Sequence, residues 1–425
     1  MHSPRRAAVS VLRAWAKGVD YAESLVERQA VRRQLSAPDR ALLNALVLGV
    51  LRHRRLLDHW LAGLRRGRLD HETRDILRVG LCQLLILGLP DHAAVFETVQ
   101  LGRAPVRGLL NAVLRRAANR RQRLLDEARE LPPAVRHSHP DWLVRRWQAQ
   151  FGAQDCLVLL EWNNRPAETF ARVHALGGGA DADPALPPPD PALPPGFVRI
   201  DGPVPAAWLD RGALYVQDPS TRHAVELLAP RPGERTLDAC AAPGGKAAMI
   251  ADRCGSAAAL VCTDANPRRL PRLRENLSRL HCADATVLAH DWTTPAPPAW
   301  RHAFDAILAD VPCSNTGVLR RRVDARWRLQ PPQLADLAAL QRAIVAHLVP
   351  CLKPGGRLVY STCSLEPEEN EDQVAALLAA HPELQLAATR TALPHRDATD
   401  GAFAALFDSR KRDLTEARRH GDERE

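Results

Sequence analysis

Residues 357 to 371 read Arg-Leu-Val-Tyr-Ser-Thr-Cys-Ser-Leu-Glu-Pro-Glu-Glu-Asn-Glu, and this stretch decides the fold class. Leu358, Val359 and Tyr360 form an apolar run after the Lys353-Pro354-Gly355-Gly356 turn, which predicts a short buried strand. Pro367 followed by Glu368, Glu369 and Glu371 predicts a helix start, where a fixed proline φ and acidic side chains suit the positive end of the helix dipole. Cys363 therefore falls just past a strand's carboxyl end, the edge at which open α/β sheets bind ligands. A lone cysteine is more often a small buried hydrophobe, so the position needs support from elsewhere in the chain.

That support comes from Ala306-Ile307-Leu308-Ala309-Asp310, a second apolar strand ending in an acid, with Val311-Pro312-Cys313-Ser314 after it. Two strands thus deliver Cys313 and Cys363 to one sheet edge. Further strands are predicted at 235–240, 260–263 and 286–289. Asp238, Asp264, Asp291 and Asp310 recur at or near strand ends, and helical segments alternate with them from Val204 onward. That alternation is the signature of a parallel sheet covered on both faces.

At 425 residues the chain is too long for one average core, and two or three domains are expected. No apolar run of membrane-spanning length stands out, and the Arg-containing start lacks a secretory core; the expectation is a cytoplasmic protein without a membrane partner. Nine cysteines, none in a C-x-x-C spacing, argue against a disulfide framework and against a common zinc site; no metal is expected. Of the net charge of +9, residues 1–150 carry 27 basic against 14 acidic side chains, or +13, leaving −4 for the rest. The basic end is the expected footprint for a polyanion, against the alternative of an arginine-rich helix surface.

Residues 5 to about 130 read as all-helical: Ala8, Val11, Leu12 and Trp15 recur at helical spacing, Ser36 with Asp39 forms a capping box, and apolar helices follow through Leu114. Four segments result: a helical domain at 1–130, a bridging helix with a reduced subdomain and connector at 131–203, a catalytic domain at 204–407 and a charged, disordered tail at 408–425. Phe170 to His174 is a candidate strand. Seven prolines between Pro184 and Pro195 then predict an extended connector, which makes a compact subdomain just before residue 205 doubtful.

Cys240-Ala241-Ala242-Pro243-Gly244-Gly245-Lys246 links the first strand of the catalytic domain to a helix, so its backbone can approach a ligand closely. It matches neither a dinucleotide nor a phosphate loop. Asp264, at the next strand end, is placed to accept both ribose hydroxyls. With Asp291 and Asp310 adding acceptors, a cationic, ribose-bearing cofactor fits better than a pyrophosphate, and S-adenosylmethionine meets that description.

The motifs DACAAPGGK, DVPCSNTGVLRRR and STCSLEPEENE, in this order from Tyr215 to Phe403, resemble the cofactor, Pro-Cys and Thr-Cys motifs of the RNA cytosine-5 methyltransferases. LRVGLCQLLIL, DHAAVFETVQ and LLNAVLRR are similar to the domain shared with the transcription antitermination factor NusB. The resemblance implies an all-α NusB-like bundle followed by a Rossmann-like methyltransferase domain, acting as a monomer on 16S rRNA or a small-subunit precursor. It implies that Cys363 is the nucleophile, that Cys313 assists product release and that Asp310 bonds the cytosine ring. Lys246 would hold Asp310 or lower a thiolate pKa. Following the Pro-Cys loop, Arg320, Arg321, Arg322, Arg326 and Arg328 are expected to meet phosphates, against the alternative of a solvated helix face. Two features depart from the family pattern: Ala247 stands where threonine often follows PGGK, and the Pro-rich connector replaces much of the usual RNA-binding subdomain. A transfer RNA target and an inactive RNA-binding assembly factor remain alternatives.

Overall fold

The structure, a computed structural model, describes residues 3–18, 20–176, 186–188 and 190–410. They fall into two compact units, Met1–Pro166 with Leu319–Leu329, and Ala167–Val318 with the residues from Gln330 onward. The first unit is all-helical, from Pro4–Trp15 through Ala37–Arg52, Arg54–Leu64, His71–Leu81 and Ala104–Asn119 to Asp141–Asn164. Ser36 Oγ accepts from the Asp39 amide and starts its helix as predicted. Leu43, Leu46, Leu57, Ile76, Leu77 and Leu114 form the core. Gly80 lets two helices approach closely, because a Cβ there would lie 2.6 Å from Leu114 Cδ2. The helix Asp141–Asn164 breaks its geometry at Gly152, with φ +83°, and belongs to this unit rather than to a separate middle segment.

The segment Leu319–Leu329 also belongs to the helical unit, although it follows the Pro-Cys loop in sequence. Val323 is buried in that unit's core, and Trp327 Nε1 donates to Leu51 O. For two of its five arginines, Arg320 and Arg326, this corrects the expectation that they face phosphates. Arg326 is fully buried and donates to Ser138 O, Asn163 O, Asn164 Oδ1 and Leu319 O. Arg320 is buried, donates twice to Pro166 O and lies 4.3 Å over the Trp162 ring. A guanidinium whose donors are taken up by buried carbonyls has little left for a polyanion; Arg322 is exposed.

The second unit contains two sheets. Strands β1 (Thr169–Val173), β2 (Phe197–Ile200) and β3 (Leu214–Val216) pair antiparallel in the order β2-β1-β3. Ala171, Leu186, Val198, Ile200 and Leu214 make its small core. The compact subdomain that the proline content argued against is therefore present: prolines exclude a helix but leave the flanking segments free to pair. Of the connector, 177–185 and 189 lie outside the described residues.

The large sheet comprises β4 (Thr236–Asp238), β5 (Leu260–Asp264), β6 (Thr286–Ala289), β7 (Phe304–Asp310), β8 (Leu352–Thr362), β9 (Leu384–Ala392) and β10 (Ala402–Ser409). Their order is β6-β5-β4-β7-β8-β10-β9, the first five parallel and β10 antiparallel to both neighbours. The order reverses between β4 and β7, and a crevice opens at such a switch point. The sequence reading lacked β9 and β10. Asp408 and Ser409, assigned there to the tail, are the last residues of β10, whose Phe403 pairs with Thr362 of β8; 411–425 lie outside the described residues. Pro331–Cys351 is long and apolar enough to cross a membrane by length and composition, yet its Ile344, Val345 and Leu348 are buried in the core beneath the sheet.

Candidate active site

The carboxyl ends of β7 and β8 bring the two cysteines together, Sγ to Sγ at 3.3 Å. The cause is register: Asp310 and Ser361 are parallel partners, so the loops that follow start at the same level. Asn315, in the left-handed region at φ +62°, donates from Nδ2 to Cys313 O at 2.7 Å and lies 3.5 Å from Cys363 Sγ through Oδ1. The hydrogen bond with Cys363, followed by burial, pushes the Cys313 thiol well above its ordinary range.

Asp310, the last residue of β7, accepts from Lys246 Nζ at 2.7 Å and from Ser361 Oγ at 2.7 Å. Lys246 is the second residue of the helix Gly245–Cys254. Burial is the strongest single influence and works against its ammonium, but the charge and hydrogen bond of Asp310, with the nearby Cys363 and Asp238, together raise the lysine pKa. Lys246, Asp310 and Cys363 line one cleft together with Ser220, Thr221 and Asp400. The cleft wall needs two glycines: Gly401 N donates to Gly317 O at 2.8 Å, and a Cβ on Gly401 would lie 2.6 Å from Gly317 Cα.

The cofactor loop follows β4. Gly244 has φ +110°, which favours glycine, and the Ala242–Pro243 bond is cis. Ala241 N is held by Thr263 O, Pro243 O by Asn276 Nδ2 and Ala242 O by Arg269. Asp238 is buried, and neither of its carboxylate oxygens has a hydrogen-bond partner among the described residues. Burial first and the charge of Asp310 second push its pKa up to about 7. Asp264, also buried, accepts from the Asn266 amide at 2.9 Å and lies 3.0 Å from the half-exposed Arg269 guanidinium. Asp291 is exposed after edge strand β6, with Oδ1 accepting from the Thr293 amide and hydroxyl; these bonds hold its pKa below the ordinary value. Cys240 is half-buried, and Ala247, at the position of the departure from the family pattern, is fully buried.

Sequence reasoning passed over Ser361, Asn315 and Glu369. The first two are ordinary polar residues whose partners become visible only in the folded chain. Glu369 was read as a helix-start acid, yet it is fully buried. The signal for Asp238 was present, an acid at the end of the first strand, but the residue was assigned no role.

A family model described as 16S rRNA methyltransferase RsmB/F matches residues 225–408, and the NusB family model matches 2–119. The ribosomal RNA small subunit methyltransferase B of Sodalis glossinidius is 38% identical over 93% of this chain and 96% of its own. That of Photorhabdus laumondii is 35% identical over 89% and 93%. The crystal structure of PH0851 has a TM-score of 0.75 at 23% identity, covering 96% of this chain and 99% of its own. NSun6 from Pyrococcus horikoshii, solved with SFG, has a TM-score of 0.55 at 20% identity, covering 64% and 98%. Those two likenesses bear on the fold alone; the sequence relatives, similar over nearly their whole length, establish that the chain belongs to the ribosomal RNA small subunit methyltransferase B family.

Proposed function

We propose that the protein methylates carbon 5 of one cytosine in 16S rRNA, with S-adenosylmethionine as donor and Cys363 as covalent nucleophile. The observation that carries this reading is the pair of thiols 3.3 Å apart, of which Cys363 lines a cleft together with the Lys246–Asp310 ion pair. Bound S-adenosylmethionine supplies an electrophilic methyl on a positively charged sulfur. The Cys363 thiolate adds to carbon 6 of the ring, and the electron pair released makes carbon 5 nucleophilic enough to take the methyl. Asp310, held by Lys246 and Ser361, is set to bond ring nitrogen 3 or the exocyclic amine as charge shifts within the ring. After methyl transfer the carbon 5 proton leaves to a base or water and the carbon 6 to sulfur bond breaks to free Cys363, the release step to which Cys313 is assigned. The target base must be unpaired or flipped to reach these groups. Mapping 5-methylcytosine in the RNA of a deletion strain tests the substrate: one site lost from 16S rRNA supports the reading, and losses confined to transfer RNA refute it.

The cofactor residues expected from the glycine loop and the strand-end acids are Cys240 to Lys246, Asp264, Asp291 and Asp310. The buried Asp264, at a strand end, fits a ribose, and Asp238 fits a cation, since a buried carboxylate without a partner is costly until a donor or cation meets it. Asp264→Ala is expected to weaken S-adenosylmethionine binding by about 2 kcal/mol, the scale for losing hydrogen bonds to a charged acceptor; unchanged affinity in calorimetry would remove Asp264 from the site.

Asp238 adds a pH dependence whose sign follows from its raised pKa of about 7. Below that value the folded protein holds a neutral acid there, and a cation must first displace the proton. Affinity for S-adenosylmethionine should therefore climb between about pH 6 and about pH 8 and level off above. In Asp238→Asn the climb should vanish. The same slope in both proteins would assign the titration to another group.

A further inference from the structure

Glu369 sits in the short turn Pro367–Glu369, directly after the Thr-Cys loop, and is fully buried. Its Oε1 accepts from the Ser314 amide at 2.9 Å and from Gln341 Nε2 at 2.9 Å, while its Oε2 accepts from Ser364 Oγ at 2.5 Å. All three partners are neutral, so hydrogen bonds rather than a counter-charge compensate the carboxylate.

What these partners hold is specific. Ser314 follows Cys313, and Ser364 follows Cys363, so one carboxylate grips the residue after each cysteine. Gln341 Nε2 also donates to Pro312 O, the residue before Cys313, at 3.0 Å. Tyr360, within β8, has its hydroxyl 2.7 Å from Glu369 O and 3.0 Å from Gln341 Oε1, which share its single proton. Ser314 Oγ and Ser364 Oγ lie 3.0 Å apart, joining the two loops a second time. The loops come from different strands, with the two cysteines 50 positions apart, and Glu369 is the acid on which both converge.

We infer that Glu369 is a positioning residue for the methyl transfer, a buried clasp that holds the Pro-Cys and Thr-Cys loops together and thereby sets the two thiols at 3.3 Å. The inference rests on the assignment of Cys363 as nucleophile. It predicts an effect on the covalent step and none on cofactor affinity, because the clasp touches neither the loop 240–246 nor Asp264. Positional errors of about an ångström at a reacting pair typically lower rates by about 100-fold.

The test uses the full chain with S-adenosylmethionine and a 16S rRNA transcript carrying 5-fluorocytidine. Fluorine at carbon 5 cannot leave as a proton does, so the cysteine adduct persists and is counted as a slow band in denaturing gels. In Glu369→Ala the band should form about 100-fold more slowly than in the parent, with calorimetric cofactor affinity unchanged. Glu369→Gln should recover to within about 10-fold of the parent, because its Oε1 still accepts from Ser314 and Gln341 and its amide can donate to the Ser364 hydroxyl. A merely structural role would lower cofactor binding alongside the rate and would not be rescued by glutamine. Equal trapping rates in Glu369→Ala and the parent would overturn the clasp alone; no band in the parent would remove the cysteine-adduct reading and the clasp with it.

Discussion

Replacing Cys363 with alanine is expected to reduce methyl transfer to background while leaving S-adenosylmethionine affinity nearly unchanged. The side chain is assigned to carbon 6 of the base, so its loss removes the step that activates carbon 5, not a cofactor contact. Cys313→Ala should behave differently. With the nucleophile intact and release impaired, a covalent RNA–protein adduct should accumulate on natural cytidine and migrate slowly in denaturing gels. An adduct trapped by Cys363→Ala and absent from Cys313→Ala would exchange the two roles. Near-normal turnover of Cys363→Ala would place the nucleophile elsewhere.

The second large effect concerns Arg326, and it separates two uses of an arginine-rich segment. Arg326→Ala should destabilise the protein by about 3 to 5 kcal/mol, the range for truncating a large, fully buried side chain and leaving its hydrogen-bond acceptors unsatisfied. The carbonyls of Ser138, Asn163 and Leu319 and the Asn164 side chain would lose their shared donor, and a cavity would remain where a fully buried side chain had been. Urea unfolding of the full chain reads this directly. A phosphate-binding arginine would give the opposite result, unchanged stability with weaker and less salt-sensitive RNA binding. The same packing bears on truncation: removing residues 1–130 strips Leu319–Leu329 of the core in which Val323 is buried. A fragment lacking the helical residues is therefore no neutral vehicle for measuring cofactor affinity.

Much of this architecture was legible in the chain because it is encoded over short distances. Helical periodicity in residues 5–130, the Ser36 cap and the strand at 286–289 each depend on residues within one or two turns of one another. The acids at the ends of β4, β5 and β7 and the cysteines beyond β7 and β8 follow the same logic, since a strand that ends defines an edge and the next residues face it. Less was legible where local signals were weak or ambiguous. β2 and β3 are only four and three residues long, and prolines between β1 and β2 hid a pairing that forms across them. β9 is exposed over most of its length, with only its end residues Leu384 and Ala392 buried, so it lacks the apolar run that marked the central strands.

From sequence alone the protein's class, its order of domains and the two cysteine-bearing loops were determined, because strand, helix and turn chemistry is read from neighbours. Only the tertiary structure decided what each charged residue does. Arg326 and Arg322 are the same residue type four positions apart, yet one is enclosed by acceptors more than 160 residues earlier in the chain and the other is exposed. Glu369 and Glu371 likewise stand in one acidic run, and only Glu369 meets Ser314 and Gln341 in the interior. A charge in a sequence carries no sign of its burial, since burial is set by partners that folding brings from far along the chain and without which the desolvated group would be too costly to keep.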